Sequence, residues 1–427
     1  MNQSSPKPMV RGGIPWWLWG MIIFGTAIVA LATVVALWPQ DSEALYQTAI
    51  DSFDEGDSET FKASLASLRN DADYADHVIF LEGLDAAKEG KDLRALELFE
   101  SVKDNDALKP LVLQNIGRSF TATGQYKKAI EAFDASIALD SENADETRIM
   151  VAQLYYGIGG LKHAESLLNT VIESATDKPT MAYSLRAKIR AEMFSYADAV
   201  EDYALLLETP GDRAAASPAL IADYVRALLK VGDEARIQEA ATEMAADLMD
   251  QQLQWQLNMA AGNREQVLDA IAATKGSPNS PGPTDKIEAQ AALEVGRYEA
   301  AAKMIRTAIG NRPRDIDTFE LAAKIFEAAG MADEQKNAEQ NIEKLRQLQQ
   351  DYLATLTEIG DDIKSADLRL KLAEILVELA QFQEANRWYS VAAMIDPERR
   401  EEATAALEEL RQLRSLPPVL VPFEEEK

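Results

Sequence analysis

The sequence predicts an all-α chain, with helix pairs stacked into an α-α superhelical solenoid behind one N-terminal transmembrane helix. Three observations predict it. A run of twenty residues, Leu18 to Leu37, carries no charge. After it, a glycine recurs about every 34 residues. A small residue follows that glycine five places later, and a large apolar residue four places after that.

The apolar run comes first. Ten of its twenty residues are Leu, Ile, Val or Phe. At about −0.3 to −0.6 kcal/mol each they favour insertion by roughly 3 to 6 kcal/mol. Twenty helical residues reach roughly 30 Å, the thickness of the hydrocarbon layer. Trp16, Trp17 and Trp19 stand at one edge and Trp38 at the other, as an interfacial aromatic belt would. Lys7 and Arg11 precede the run, while Asp41, Glu43, Asp51 and Asp54 follow it. This bias places a cytoplasmic tail at residues 1–13, a transmembrane helix at 14–38 and the rest of the chain outside the cytoplasm. A cleaved signal peptide would need a shorter apolar core and a small-x-small site. Here the run ends in Leu37-Trp38-Pro39, so a retained anchor is expected.

The repeats follow. From Gly124, steps of 34 residues lead back to Gly90 and Gly56, and 35 lead forward to Gly159. Phe194 takes the next such place, then Gly232, Gly262, Gly296 and Gly330, with Ala380 last after a longer gap. The small residues are Ala95, Ala129, Ala164, Ala199, Ala301 and Ala385; the large ones are Phe99, Phe133, Leu168, Tyr203, Ile305 and Tyr389. A period of this size means a solenoid, since a lone helix pair cannot bury such stripes and stacked neighbours can. Within one unit, Leu113, Ile116 and Phe120 share one helical face, and Tyr126, Ala129, Ile130 and Phe133 share the next. Gly124 is expected to end the first helix, and Gly117 to let two helices approach.

This pattern resembles the tetratricopeptide repeat over about ten units, nearly all of residues 42–415. The small residue of the family's first helix (helix A) matches Gly83, Gly117, Ala152 and Ala187, and its partner matches Phe120 and Tyr155. The alanine of the second helix (helix B) matches Ala129 and its equivalents, and the terminal proline matches Pro313 and Pro397. The units around Gly232 and Gly262 depart from it. Ile237 and Val267 replace the alanine there, and the spacing runs 38 and then 30.

The first solenoid segment is expected at 41–273, a Pro/Gly-rich linker at 274–284 ("TKGSPNSPGPT") and the second segment at 285–416. Residues 332–358 contain no Gly or Pro and space Leu345, Leu348, Tyr352 and Leu356 helically. They predict an extended helix B, packed on its own solenoid or offering room to an outside partner. "PERREEATAALEELRQLRSL" suits a capping helix with a polar outer face. Residues 417–427 predict an extended tail that packs on this last helix or serves as a docking peptide.

Composition excludes much chemistry. There is no cysteine, so no thiolate site, cluster, disulfide or thiol nucleophile. The two histidines, His77 and His163, stand alone in sequence and suit surface or groove contact rather than ligation. The glycines fit no phosphate loop. "NDADYAD" (70–76) departs from a calcium loop at its fifth, sixth and twelfth positions. Net charge is −28, and the first forty residues carry +2, leaving −30 beyond them. That acidity disfavours nucleic acid as a partner. No enzyme activity, cofactor or metal is expected.

What remains is binding. The resemblance implies a concave groove lined by first helices that receives a peptide or a partner's helix. Positions just after the small helix A residue are Leu84, Arg118, Gln153 and Lys188, with Arg226 near the same row and Lys88 and Arg190 close to it. Lys88, Arg118, Gln153, Lys188 and Arg226 are therefore the candidate partner-binding residues, suited to an acidic or carboxylate-bearing ligand unless neighbouring Glu and Asp neutralise them. The Lys/Asn/Asn/Lys/Arg set of chaperone-binding members is absent. In layout the chain resembles anchored periplasmic repeat proteins that assist translocons or envelope assembly. One such group ends in a cysteine-rich metal domain, which this composition excludes. The expected function is a membrane-anchored scaffold for other proteins on the outer side of a bacterial inner membrane. The competing reading is an accessory subunit of a membrane or periplasmic enzyme system, in cytochrome maturation or cell-wall synthesis.

Overall fold

The computed structural model describes residues 41–139, 144–244, 249–274, 283–413 and 416–423. All regular structure among the described residues is helical. The expected span at 14–38 and most of the 274–284 linker lie outside them; no helix among them is long and apolar enough to cross a membrane.

The described chain forms two compact units, one ending at Leu108 and one beginning at Lys109. The first holds α1 (Ser42–Glu55), α2 (Ser58–Leu68), a 3-10 turn (Ala72–Tyr74), α3 (Ala75–Lys88) and α4 (Asp92–Val102). Asp41 and Asp57 cap α1 and α2, each accepting two backbone N–H groups that a helix start leaves unpaired. The second unit opens with the pairs α5 (Lys109–Ala122) and α6 (Tyr126–Leu139), α7 (Ala144–Ile158) and α8 (Leu161–Ser174), and α9 (Thr180–Glu192) and α10 (Tyr196–Leu206). A short α11 (Pro210–Ala215) follows, then α12 (Pro218–Val231), α13 (Glu234–Glu243), α14 (Gln251–Ala260), α15 (Arg264–Thr274), α16 (Asp285–Glu294) and α17 (Tyr298–Asn311). The unit ends with α18 (Ile316–Ala328), α19 (Ala332–Asp361), α20 (Ala366–Glu378), α21 (Phe382–Ile395) and α22 (Arg400–Gln412). The insertion of α11 accounts for the long spacing before Gly232.

The periodic positions are turns. The eight glycines picked out by the period all have positive φ, and so do Phe194 (φ 59°) and Ala380 (φ 57°), which stand in for glycine. The small positions are close approaches. A Cβ on Gly117 would lie 2.7 Å from the ring of Phe133, which is the large residue of the same unit. Where the pattern departs, Ile237 and Val267 are buried in the alanine's place.

Helix α19 is longer than its neighbours, about 45 Å at 1.5 Å per residue. It packs on its own chain along both halves. Ala338, Ile342 and Leu345 enter one core with Phe319 and Phe326. Tyr352, Leu356 and Ile359 enter another, where α20 to α22 meet residues of α7 to α9. The second unit therefore closes on itself. Arg369, fully buried, donates to the carbonyls of Ile158 (2.6 Å), Ser365 (2.7 Å) and Ile363 (2.9 Å). Trp388, fully buried, lies over the Gly159 turn, where a Cβ would meet its ring at 2.8 Å. Arg387 donates to the Tyr156 carbonyl (2.8 Å), and its guanidinium stacks on the rings of Tyr156 and Trp388. Burial pushes the pKa of Arg369 down to about 10, still above neutrality, so the guanidinium stays charged and needs those carbonyls.

The capping helix α22 buries only Ala403. The tail does not pack on that helix as one expectation had it. Its residues Val419, Leu420 and Phe423 pack against the core built by α18 and the first half of α19.

Gly159 combines φ 92° with contact to Trp388 and Ile359. Gly159→Ala should destabilise the protein by about 2–4 kcal/mol, through left-handed backbone strain and overpacking. Ala380→Gly should act in the opposite direction, raising stability by about 0.5–1 kcal/mol. Urea unfolding followed by circular dichroism reads both; equal effects of the two would contradict this account.

Candidate binding cavity on the inner face

Closure of the second unit turns the inner faces of its helices toward one another. Two cavities of about 600 and 680 Å³ lie there, and they share Arg226, Leu229, Lys230, Gln256 and Asp317, so they form one continuous concave space. The first is walled by Tyr156 from α7, Lys188 and Ala191 from α9, and Tyr196 and Tyr203 from α10. Lys286, Arg312 and Lys324 contribute to the second.

Its electrostatics are unlike the rest of the chain. Six cations (Lys188, Arg226, Lys230, Lys286, Arg312, Lys324) face five carboxylates (Asp223, Asp250, Asp315, Asp317, Glu320). Three of these six cations are ion-paired. Arg226 pairs with Asp223 (3.1 Å) and sits 3.8 Å from Asp250, Lys230 pairs with Asp317 (2.5 Å), and Lys286 with Asp315 (2.8 Å). Burial disfavours the Lys230 ammonium, but Asp317 outweighs it and holds the pKa above the usual lysine value. Lys188 is exposed and has no ion-pair partner among the described residues. Burial, with Glu192 beside it, raises the Tyr156 phenol to about 12, and burial raises Tyr196 and Tyr203 as well. All three tyrosines therefore remain protonated donors at neutral pH, set on apolar walls.

The structure brings together two of the five residues predicted from sequence, Lys188 and Arg226. Lys88 belongs to the first unit, where its Nζ stacks on Phe53 (4.5 Å) and donates to the Phe53 carbonyl (3.1 Å). Arg118 lies along α7 instead, 3.3 Å from the Met150 sulfur and 3.4 Å from Glu146. Gln153 is exposed and does not line the cavity. Arg190, close to the predicted row, is structural: with Arg186 it neutralises Asp202, which is 1% exposed. Tyr156, Tyr196 and Lys230 were missed. Tyr156 falls four residues after the small Ala152, and Lys230 four after Arg226, one helical turn along the same faces. A second row one turn further along would have found Tyr156 and Lys230.

Neither histidine reaches the cavity. His77 lies between Tyr46 (4.8 Å) and Tyr74 (4.7 Å), and burial lowers its pKa. His163 stacks on Tyr155 at 5.1 Å. In the 70–76 segment, Asp71 caps the 3-10 turn and accepts the Ser42 hydroxyl at 2.6 Å. Among the described residues no group of three or more His, Asp or Glu is arranged to hold a metal ion.

Comparison with known proteins gives one family match. The tetratricopeptide repeat family profile matches residues 111–143, which hold Gly117, Gly124, Ala129 and Phe133. That segment is a tetratricopeptide repeat, and its two helices are α5 and α6. No curated protein matches the chain. Among solved structures, the P58(IPK) TPR domain is 16% identical, covers 79% of this chain and 99% of its own, and superposes with a TM-score of 0.24. A tetratricopeptide repeat protein from Parabacteroides merdae is 13% identical over 79% and 99%, with a TM-score of 0.20.

One carboxylate at the cavity rim predicts a pH response. Burial opposes ionisation of Asp315, but Lys286 and the Thr318 hydroxyl outweigh it, so its pKa lies below the usual carboxylate value. The stability it contributes is thus present above the unfolded pKa, near 3.9, and is lost as pH falls through the folded value. Asp315→Asn should be less stable than the parent at pH 7, with the difference shrinking as pH falls below about 3.9. Thermal melts across that range check it; a gap that persists unchanged at pH 3 would contradict it.

Proposed function

We propose that this tetratricopeptide-repeat chain is a protein-binding scaffold anchored in the inner membrane by residues 14–38, with its repeats on the extracytoplasmic side. There it would assist the assembly or stability of envelope complexes. The observation that carries the binding role is the concave cavity with an uncommitted Lys188 beside Arg226 and Lys230, inside a chain of net charge −28. An acidic or carboxylate-bearing segment of a partner suits that cavity: the cations attract it, the phenols donate to it, and the apolar walls hold its stem. Support for the anchor comes from the twenty uncharged residues with tryptophans at both edges and cations on one side. No catalytic role is proposed for any residue. Accessory service to a membrane or periplasmic enzyme system is a narrower version of the same binding role. Co-purification with one enzyme activity would favour it.

Two measurements test the proposal. Lys188→Glu with Arg226→Glu should reduce partner recovery from detergent-solubilised membranes by at least tenfold, while Arg118→Glu leaves it intact. Unchanged recovery with the double variant would sink the cavity's role. Protease added outside spheroplasts should digest the repeats; digestion only after the cells are broken would overturn the topology.

A further inference from the structure

Residues 416–423 read Leu-Pro-Pro-Val-Leu-Val-Pro-Phe and have no regular structure, yet they are held on the α18–α19 face. The grip is specific. Asn341, on α19, is fully buried. Its Oδ1 accepts the Val421 N–H at 2.9 Å, and its Nδ2 donates to the Val421 carbonyl at 2.9 Å. Nδ2 also donates to the Asn337 carbonyl at 2.9 Å. One side-chain amide therefore holds both main-chain groups of one residue at a bend in an irregular segment. Such a grip reads backbone rather than side chain.

Helix packing does not call for this asparagine. A buried amide is unfavourable unless its hydrogen bonds are made. Within its own helix Asn341 satisfies only one N–H, so its oxygen depends on the tail. The segment is shaped to suit. Val421 precedes Pro422, which disfavours helical backbone there, and the chain bends at Leu420 and Val421 where Asn341 takes both main-chain groups. Pro417 and Pro418 stiffen the approach. Side chains then anchor it: Val419, Leu420 and Phe423 pack on the core, with the Phe423 ring 6.0 Å from that of Phe326.

We propose that the α18–α19 face is a peptide-binding site, filled in cis by residues 416–423, whose ligand in trans is a non-helical, uncharged, proline-containing partner segment with apolar anchors spaced as Val419, Leu420 and Phe423 are. The site is separate from the concave cavity, which none of Asn341, Phe326 or Ile342 lines. The tail is the competitor that keeps the site closed until such a segment displaces it. A short tether supplies an effective concentration on the order of millimolar, so a site of about 0.1 mM intrinsic affinity would appear about tenfold weaker in the intact chain.

The test uses a fluorescent peptide of residues 416–423, blocked at both ends, and the full chain. Val421→Pro removes the N–H that Asn341 accepts and should release the tail. Anisotropy titration should show that this variant binds the peptide at least tenfold more tightly than the unaltered chain does. Peptides carrying the same Val421→Pro, or Phe423→Ala, should bind it at least tenfold more weakly. Phe423→Asp in the full chain is a second way to release the tail should the proline variant lose its helical signal. Equal binding to altered and unaltered chains, or no binding by either released chain while its helical signal is intact, overturns the proposal and leaves the tail a fixed strap. Concentration-dependent dimers of the unaltered chain, lost in Asn341→Ala, would assign the site to a second copy and likewise overturn it.

Discussion

The second unit depends on one seam, where residues Tyr156, Ile158 and Gly159 meet Arg387, Arg369 and Trp388 some 210 to 230 residues later. A solenoid ordinarily joins only neighbouring repeats, and its ends stay apart. Here a guanidinium with no exposure donates through its two terminal nitrogens to three carbonyls, one of them from across the seam, while its Nε is buried without a partner. A buried charge with its hydrogen bonds made is tolerable; the same charge with one acceptor withdrawn is not. Opening the seam would strand Arg369 and expose Trp388 together, so the two penalties fall at the same step. That gives the closure a cooperative character that stacked repeats lack.

Closure has a consequence for chemistry. Inner helix faces that would look onto open solvent in an extended solenoid instead wall a shared space, and charges placed there act through less water. In a strongly acidic chain the six cations of that space would be unremarkable on an outer surface. Gathered on an inner one they define where a carboxylate could be held. Three of them neutralise carboxylates already present, which leaves Lys188, Arg312 and Lys324 without an ion-pair partner among the described residues and makes the tyrosine walls as important as the sign of the field.

Helix α19 joins the two themes. Its first half belongs to the core that also seats the tail, and its second half belongs to the closing core. An event at Asn341 and an event at Tyr352 are thus felt on one rigid element. Tyr352 also donates to Glu192 at 3.2 Å across the seam, at the end of the helix that carries Lys188. The extended helix was legible in the sequence as a stretch without glycine or proline. That it bridges two cores was not, because apolar spacing along a helix says which face is buried and not what covers it.

Sequence by itself determined the local frame. Period, small residues and large apolar residues placed every turn of positive φ, including Phe194 and Ala380, because backbone conformation at a helix end and close approach at a helix crossing are short-range steric demands. It also offered Lys188 and Arg226 as candidates, by their place on or near the row after a packed small residue, but it gave Arg118 and Gln153 the same standing. Tertiary structure alone decided the rest: that α20 to α22 return to α7 to α9, that Arg118 lies along α7 while Lys188 faces the cavity, and that the tail seats on Asn341. Those outcomes rest on contacts between residues about 30 to more than 200 positions apart. No period encodes them, because each is made once.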